Sequence, residues 1–350
     1  MAVTTVALDA MGGDSGLAAN VAGAALLSRE QADIHVLMVG EVARMSEILD
    51  TVRYDPTRLT LVDCQGVVPM DGDPRESLDR QPRCSIMTAA ALVRDGDAQA
   101  LVSAGHTGAV ILAAARTFER LPGIRRAALA AVHPTEARHS PKQDPFALML
   151  DVGATVQAEP DDLVGFGLMG SAYSSIVSEI ASPRVALLSN GSEPNKGTPV
   201  IVDAHTRLRG APLNFVGNVE GLDIPRGTVD VIVCDGFLGN VVLKMLEGVG
   251  EVFGDVARQA SARSIQWRLG LSMLGGGLRE LTRLTDWKSY GGAPLLGFDQ
   301  VVIKAHGRSE ARAVRNAVKV AAKAVRGDLI GRIREGTEAL SPRAPGGQSR

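Results

Sequence analysis

Short apolar runs alternating with helical patterns constrain the fold of this chain more than any other feature. Val3–Asp9 reads as a buried strand, followed by a turn at Gly12-Gly13 and an Ala-rich helix near 16–28. His35–Val39, Leu59–Val62, Ala100–Val102, Ala147–Leu150, 184–188, 213–216, 229–233 and Val301–Lys304 repeat the strand pattern. Helices are expected at 41–51, 84–95, 107–120, 161–181, 197–208, 238–257 and 309–326. This rhythm predicts an α/β fold with a mostly parallel sheet covered on both faces. The 39 glycines suit its many tight strand-to-helix turns, and with 3% aromatics the core must come from Ala, Val, Leu and Ile. Residues 64–82 carry three prolines and read as a long surface loop of the kind that often serves function. One composite domain is expected over 1–335, with a polar, disordered tail at 336–350.

Several classes are disfavoured. The three cysteines, Cys64, Cys84 and Cys234, lack CxxC spacing, so neither a disulfide framework nor a zinc site is expected. Residues 1–14 have no basic start, and no run of 18 apolar residues occurs, so neither a signal peptide nor a spanning helix is expected. Residues 1–257 hold 20 Lys+Arg against 32 Asp+Glu, whereas 258–350 hold 17 against 7. A basic C-terminal quarter suggests an acidic partner or anionic lipid, or else pairing with the acidic body. Nucleic acid is the weakest option, because that quarter carries almost no aromatic residues for stacking.

In open α/β sheets, ligands sit where strands end and helices begin. Four such turns stand out: Asp9-Ala-Met-Gly-Gly-Asp14, Ser103-Ala-Gly-His-Thr-Gly108, Asp151-Val-Gly153 and Cys234-Asp-Gly-Phe-Leu-Gly-Asn240. Glycines let the backbone approach an anion, and helix N-termini supply partial positive charge. A shared anion cleft is therefore expected, lined by Asp9, Gly12, Gly13, Asp14, Ser103, Gly105, His106, Thr107, Gly108, Asp235, Gly236 and Gly239. His106 could donate to the anion or merely cap its helix. Lys196, in a Gly-flanked polar turn, could bind phosphate or polarise a carbonyl, or simply be a solvated loop lysine. No dinucleotide fingerprint, P-loop or GxSxG elbow appears, so an acyl-enzyme intermediate is not indicated, and no cofactor or metal is expected.

Residues 262–285 break the rhythm. Ile265, Leu269 and Met273 form one apolar stripe, and Leu278 and Leu281 begin another, with arginines alongside. The pattern reads as a helical hairpin at about 260–288, either lying on a membrane surface or packing in a dimer or core.

Taken together, the turns resemble the PlsX family of acyl-carrier-protein:phosphate acyltransferases. Matching motifs are the Asp9–Asp14, Ser103–Ala109 and Leu150–Ala154 turns, Phe215-Val-Gly-Asn-Val-Glu-Gly221, Val233–Lys244, Tyr290–Gly297 and His306-Gly307, in order over residues 3 to about 330. His106, Thr155 and Leu238 depart from the family's usual residues. The resemblance implies a fold like that of the isocitrate/isopropylmalate dehydrogenases and phosphotransacetylase. It also implies a homodimer in the cytoplasm, peripherally associated with the inner face of the cell membrane. It assigns Lys196 and Asn240 as catalytic, with acyl-carrier protein and inorganic phosphate as partners, and places membrane contact at 262–285. Alternatives are a phosphotransacetylase acting on acyl-CoA, a nicotinamide-dependent dehydrogenase of the same fold, and a membrane-surface scaffold without catalysis.

Overall fold

The computed structural model describes residues 3–136, 146–264, 266, 273 and 291–340. In chain order the first half comprises β1 (Thr4–Asp9), α1 (Gly16–Glu30), β2 (Ile34–Gly40), α2 (Val42–Leu49), β3 (Leu59–Asp63), α3 (Pro74–Arg80), α4 (Ser85–Arg94), β4 (Ala100–Ser103), α5 (Thr107–Thr117) and β5 (Ala128–Pro134). There follow β6 (Phe146–Leu150), α6 (Pro160–Ile176), β7 (Arg184–Leu188), α7 (Pro199–Leu208), β8 (Asn214–Val219), α8 (Asp223–Arg226) and β9 (Val231–Val233). The last elements are α9 (Gly236–Arg263), β10 (Ala293–Leu296), β11 (Val301–Lys304), α10 (Ala311–Arg326) and α11 (Leu329–Leu340).

The strands form one 11-stranded sheet in the order β3-β2-β1-β4-β11-β10-β5-β6-β9-β7-β8. Seven of its pairings are parallel, as the β/α rhythm predicts. The other three lie together in the middle: β11 with β10, β10 with β5, and β5 with β6. These reversals make β6, β9, β7 and β8 run opposite to β1, β2, β3, β4 and β11. The sheet is therefore two parallel halves of opposite direction, joined through an antiparallel centre.

Side-chain alternation along the strands feeds two apolar clusters, one per face. Val6, Leu8 and Val102 join α1, α6 and α10 in one cluster, while Ala7 and Leu101 join α4 and α5 in the other. Tyr173 and Phe166 of α6 are among the largest fully buried side chains. Each fully buried side chain of Leu or Phe size contributes about 1.5–3 kcal/mol.

The basic residues of α10 are largely spent inside the molecule. Arg315 and Lys319 both reach Glu30, Lys323 reaches Glu179, and Arg326 reaches Asp33, at 2.7–2.9 Å. Of the two readings of the charge asymmetry, pairing with the acidic body holds for this helix.

Two further expectations change. Residues 64–82 contain a helix, α3, begun by Pro74 and capped by Asp73, whose carboxylate accepts from the amides of Arg75 and Glu76. The expected tail is helical as far as Leu340, because α11 buries Leu329, Ile333 and Thr337. Ile265, Leu269, Leu278 and Leu281 of the expected hairpin lie outside the described residues, and Met273 is exposed. Among the described residues, no helix is long and apolar enough to cross a membrane.

Candidate active site

The Gly-rich turns assemble into two groups. At the ends of β1 and β4, which pair in register from Val6↔Ala100 to Asp9↔Ser103, the first two turns interlock. Ser103 Oγ donates to Asp9 Oδ2 at 2.7 Å and accepts from the Gly105 amide at 3.0 Å. Asp9 Oδ1 accepts from the amides of Met11 and Gly12. Asn20 Nδ2 braces the same turn, donating to the carbonyls of Ala10 and Gly12 at 2.9 and 2.8 Å. A Cβ on Gly12 would lie 2.7 Å from the Gly105 backbone, so glycine here permits the two turns to touch. Asp9 and Ser103 thus brace the two turns from within, and burial pushes the Asp9 carboxyl up against the opposing pull of its hydrogen bonds. Asp14 is exposed at the turn's far end, and its amide donates to Gly307 O at 2.8 Å, which brings in the segment after β11. Gly13, next to it, adopts φ +103° against the same carbonyl.

Lys304 belongs to this group, which its position in the sequence does not disclose. It ends β11 opposite Ser103, is 6% exposed, and its ammonium contacts the carbonyls of Ala104 (3.4 Å) and Ala305. Burial pulls its pKa down to about 8, opposed by the negative charge of Asp9 and Asp14. A lysine ending an apolar strand carries no local signal of burial; only the pairing with β4 reveals it. His106 and Thr107 begin α5, with His106 as N-cap making no side-chain cap bond. Thr107 is exposed and Gly108 is half-buried against Pro74.

The second group lies at the ends of β6, β9 and β7. Asp151 is fully buried, and its carboxylate accepts from the backbone amides of Leu129 (2.8 Å), Gly153 (3.1 Å), Ala154 (3.0 Å) and Thr155. The α9 N-terminus is pressed onto this turn. Gly236 N donates to Thr155 O at 2.9 Å, and a Cβ on Gly236 would lie 2.6 Å from Asp151 Oδ2. A Cβ on Gly239 would overlap the Asp151 carbonyl oxygen. These two glycines therefore permit close packing of turn on turn. Asp235 caps α9, accepting from Leu238 N at 2.8 Å. Asn240 Nδ2 donates to Val152 O at 3.0 Å, which fixes the amide while the residue stays exposed. Its second N–H has no protein partner among the described residues.

Lys196 follows β7 on the same sheet edge, because β6, β9 and β7 are parallel neighbours. Its stem crosses Gly191, where a Cβ would meet Lys196 Cγ at 2.7 Å. The side chain is exposed, and among the described residues no carboxylate pairs with it. Lys196 and Asn240 thus lie on the same edge of the sheet, each exposed to solvent.

Within one copy of the chain, the two groups of turns lie on opposite edges of the sheet. The reversal at β10 and β5 puts the turns after β1, β4 and β11 on one edge and those after β6, β9 and β7 on the other. From β4 to β9 there are five strand spacings, roughly 24 Å. The 28-residue helix α9, about 42 Å long, crosses between the edges. Its Lys244 and Glu247 lie near enough to His306, just after β11, to act on that imidazole's charge.

Comparison with known proteins agrees with this architecture. The family model described as "Fatty acid synthesis protein" matches residues 4–332. A phosphate acyltransferase from Heliobacterium modesticaldum is 41% identical over 331 residues, covering 94% of this chain and 96% of that protein. One from Thermoanaerobacter pseudethanolicus is 36% identical over 335 residues, covering 96% and 98%. Among solved structures, a phosphotransacetylase from Streptococcus pyogenes superposes with TM-score 0.63 at 16% identity, covering 92% of this chain and 94% of that one. A 4-hydroxythreonine-4-phosphate dehydrogenase from Klebsiella pneumoniae gives 0.51 at 13% identity, covering 91% and 98%. The solved structures share the fold, and the sequence match fixes the family: this chain belongs to the fatty acid synthesis protein family, the PlsX family that its turn motifs resemble.

Proposed function

We propose that this protein is an enzyme that transfers a fatty acyl group from an acyl-carrier-protein thioester to inorganic phosphate, giving an acyl phosphate for phospholipid synthesis. The observation that carries this reading is family membership over residues 4–332, with relatives named phosphate acyltransferase. A phosphotransacetylase acting on acyl-CoA is not favoured, since structures bearing that name share only 15–16% identity with the chain.

The chemistry is a direct displacement. A phosphate oxygen attacks the thioester carbonyl carbon, the C–S bond breaks, and the carrier's thiolate departs with the electron pair. A thiol of pKa about 8.5 leaves without a strong general acid. The protein's task is to position two anionic reactants and to stabilise the oxyanion that forms. Lys196 supplies the positive charge that offsets phosphate. Asn240, with one N–H committed to Val152 O, directs its other N–H to the oxyanion. Cys234 is fully buried with its thiol bonded to Asp151 O, so it is not placed to act as a nucleophile.

The same reading includes a homodimer in the cytoplasm, peripherally held at the membrane. Phe237, Val241, Met245, Val249, Val252 and Val256 form an exposed apolar stripe along α9, which supports association with a second copy. Membrane contact is assigned to 262–285.

The test mixes purified protein with a long-chain acyl-carrier thioester, with and without phosphate, trapping acyl phosphate as its hydroxamate. Phosphate-dependent product is expected, and Lys196→Ala and Asn240→Ala should each lose roughly 10²–10³-fold in kcat, or about 2.7–4 kcal/mol of barrier. Near-normal turnover in both variants would remove the site assignment. No product with the wild-type protein would remove the function.

A further inference from the structure

We propose that Asn218, held by His205, is a positioning residue that fixes the Lys196 loop in the shape its chemistry requires; the inference rests on Lys196 being the reacting-site lysine. Asn218 lies in the Phe215–Gly221 motif, to which the proposed reaction assigns no role. It is 8% exposed and spends its side chain in two directions. Its Oδ1 accepts from His205 Nδ1 at 3.0 Å, which sets the imidazole tautomer with its proton on Nδ1. Its Nδ2 donates to Glu193 O at 2.9 Å. That same carbonyl oxygen accepts from the Lys196 backbone amide at 3.1 Å. A single oxygen atom therefore joins the buried amide to the residue that carries the ammonium.

The local backbone is bent to make this contact. The register of β8 against β7 shifts between Val185 and Ala186, so that Phe215 pairs with Val185 but Gly217 pairs with Ala186. Val216 is the extra residue, and Gly217 adopts φ +106°, a conformation that side chains rarely tolerate. In an unbroken strand, Phe215 and residue 218 would point to opposite faces. With the bulge both meet His205: the Phe215 ring lies edge-to-face at 5.1 Å, and the Asn218 amide lies at 3.0 Å. Most of the residues from Asn190 to Thr198 are exposed, so the loop has little apolar packing of its own to hold it. The clamp from Asn218 replaces that missing support.

A double-mutant cycle tests the proposal, with kcat, phosphate KM and Tm measured for Asn218→Ala, Lys196→Ala and the pair. Asn218→Ala is expected to lower kcat 10- to 100-fold with phosphate KM moving less than threefold. In the Lys196→Ala background the same change should cost less than threefold, because the lysine through which it acts is gone. His205→Asn, whose Nδ2 takes the place of the ring Nδ1, should stay within threefold of wild type, whereas His205→Leu should behave like Asn218→Ala. Should Asn218→Ala unfold, the His205 pair carries the test at unchanged fold. Full additivity with a Lys196→Ala enzyme that has lost turnover would overturn the clamp alone. Near-normal turnover in Lys196→Ala would overturn both the clamp and the reading beneath it.

Discussion

Gly239 lies directly against the carbonyl oxygen of Asp151, so the first turn of α9 rests on the turn after β6 without space for one methyl group. Gly239→Ala must push these two backbones apart, and overpacking of this kind costs about 1–3 kcal/mol or more. The variant should show a clearly lowered Tm and lose most turnover, since Asn240 is the next residue. Gly221→Ala is the control: no atom lies within 4 Å of its added Cβ, and its Tm should match wild type.

Asp151→Asn tests the buried carboxylate. Both oxygens accept from backbone amides, and an asparagine replaces one acceptor with a donor that faces those same N–H groups. Leaving a buried amide unpaired costs about 1–3 kcal/mol. A drop in Tm should accompany reduced kcat, because Val152 O, the anchor for Asn240, follows Asp151 directly. Unchanged denaturant midpoints would show that the turn does not depend on this charge.

Ser103→Ala removes the hydroxyl that links Asp9 to the Gly105 amide. The expected loss is again about 1–3 kcal/mol, because a buried N–H and a carboxylate oxygen each lose a partner. Lys196 and Asn240 sit on the other sheet edge, so kcat should fall less than in the Asp151→Asn variant. Measuring both variants side by side separates the two groups.

Lys304 gives the protein an alkaline signature. Its native pKa is pulled from 10.5 to about 8, so between those values the unfolded chain holds a proton that the native state has released. This group therefore makes stability rise with pH across that window, and its full cost is present below pH 8. Lys304→Met removes the contribution. The Tm difference, variant minus wild type, should fall as pH rises from 8 to 10.5. A difference that stays flat would mean that the ammonium is not desolvated.

Much of the architecture was legible because parallel strands buried on both faces declare themselves as apolar runs. The two strands that the sequence pattern does not disclose, β5 and β10, have the wrong composition. Ala128-Leu-Ala-Ala-Val-His-Pro134 is rich in the best helix former, and Ala293-Pro-Leu-Leu296 carries a proline where a central strand seldom does. Both are antiparallel, and missing them hid the reversal of direction that divides the turns between two edges. Gly236, Gly239, Asp9 and Ser103 are legible as turn residues, but the packing and bracing contacts they make are not. A glycine that admits an anion and a glycine that admits a neighbouring turn look alike in one dimension. The catalytic roles of Lys196 and Asn240 rest on family resemblance, because the residues alone leave Lys196 open between phosphate binding and a solvated loop lysine, and an asparagine in the first turn of a helix does not announce chemistry by itself.

The strand order also has a consequence for synthesis. β4 and β5, separated by 24 residues in the chain, are joined in the sheet only through β11 and β10, which are made last. Until residue 304 has left the ribosome, two strand edges in the middle of the future sheet stand open. At ordinary translation speeds that interval is on the order of 10–40 s. Open edges of this kind recruit other chains, so the nascent protein passes through an aggregation-exposed interval before the sheet can close. A message truncated before codon 291 would leave both edges open permanently.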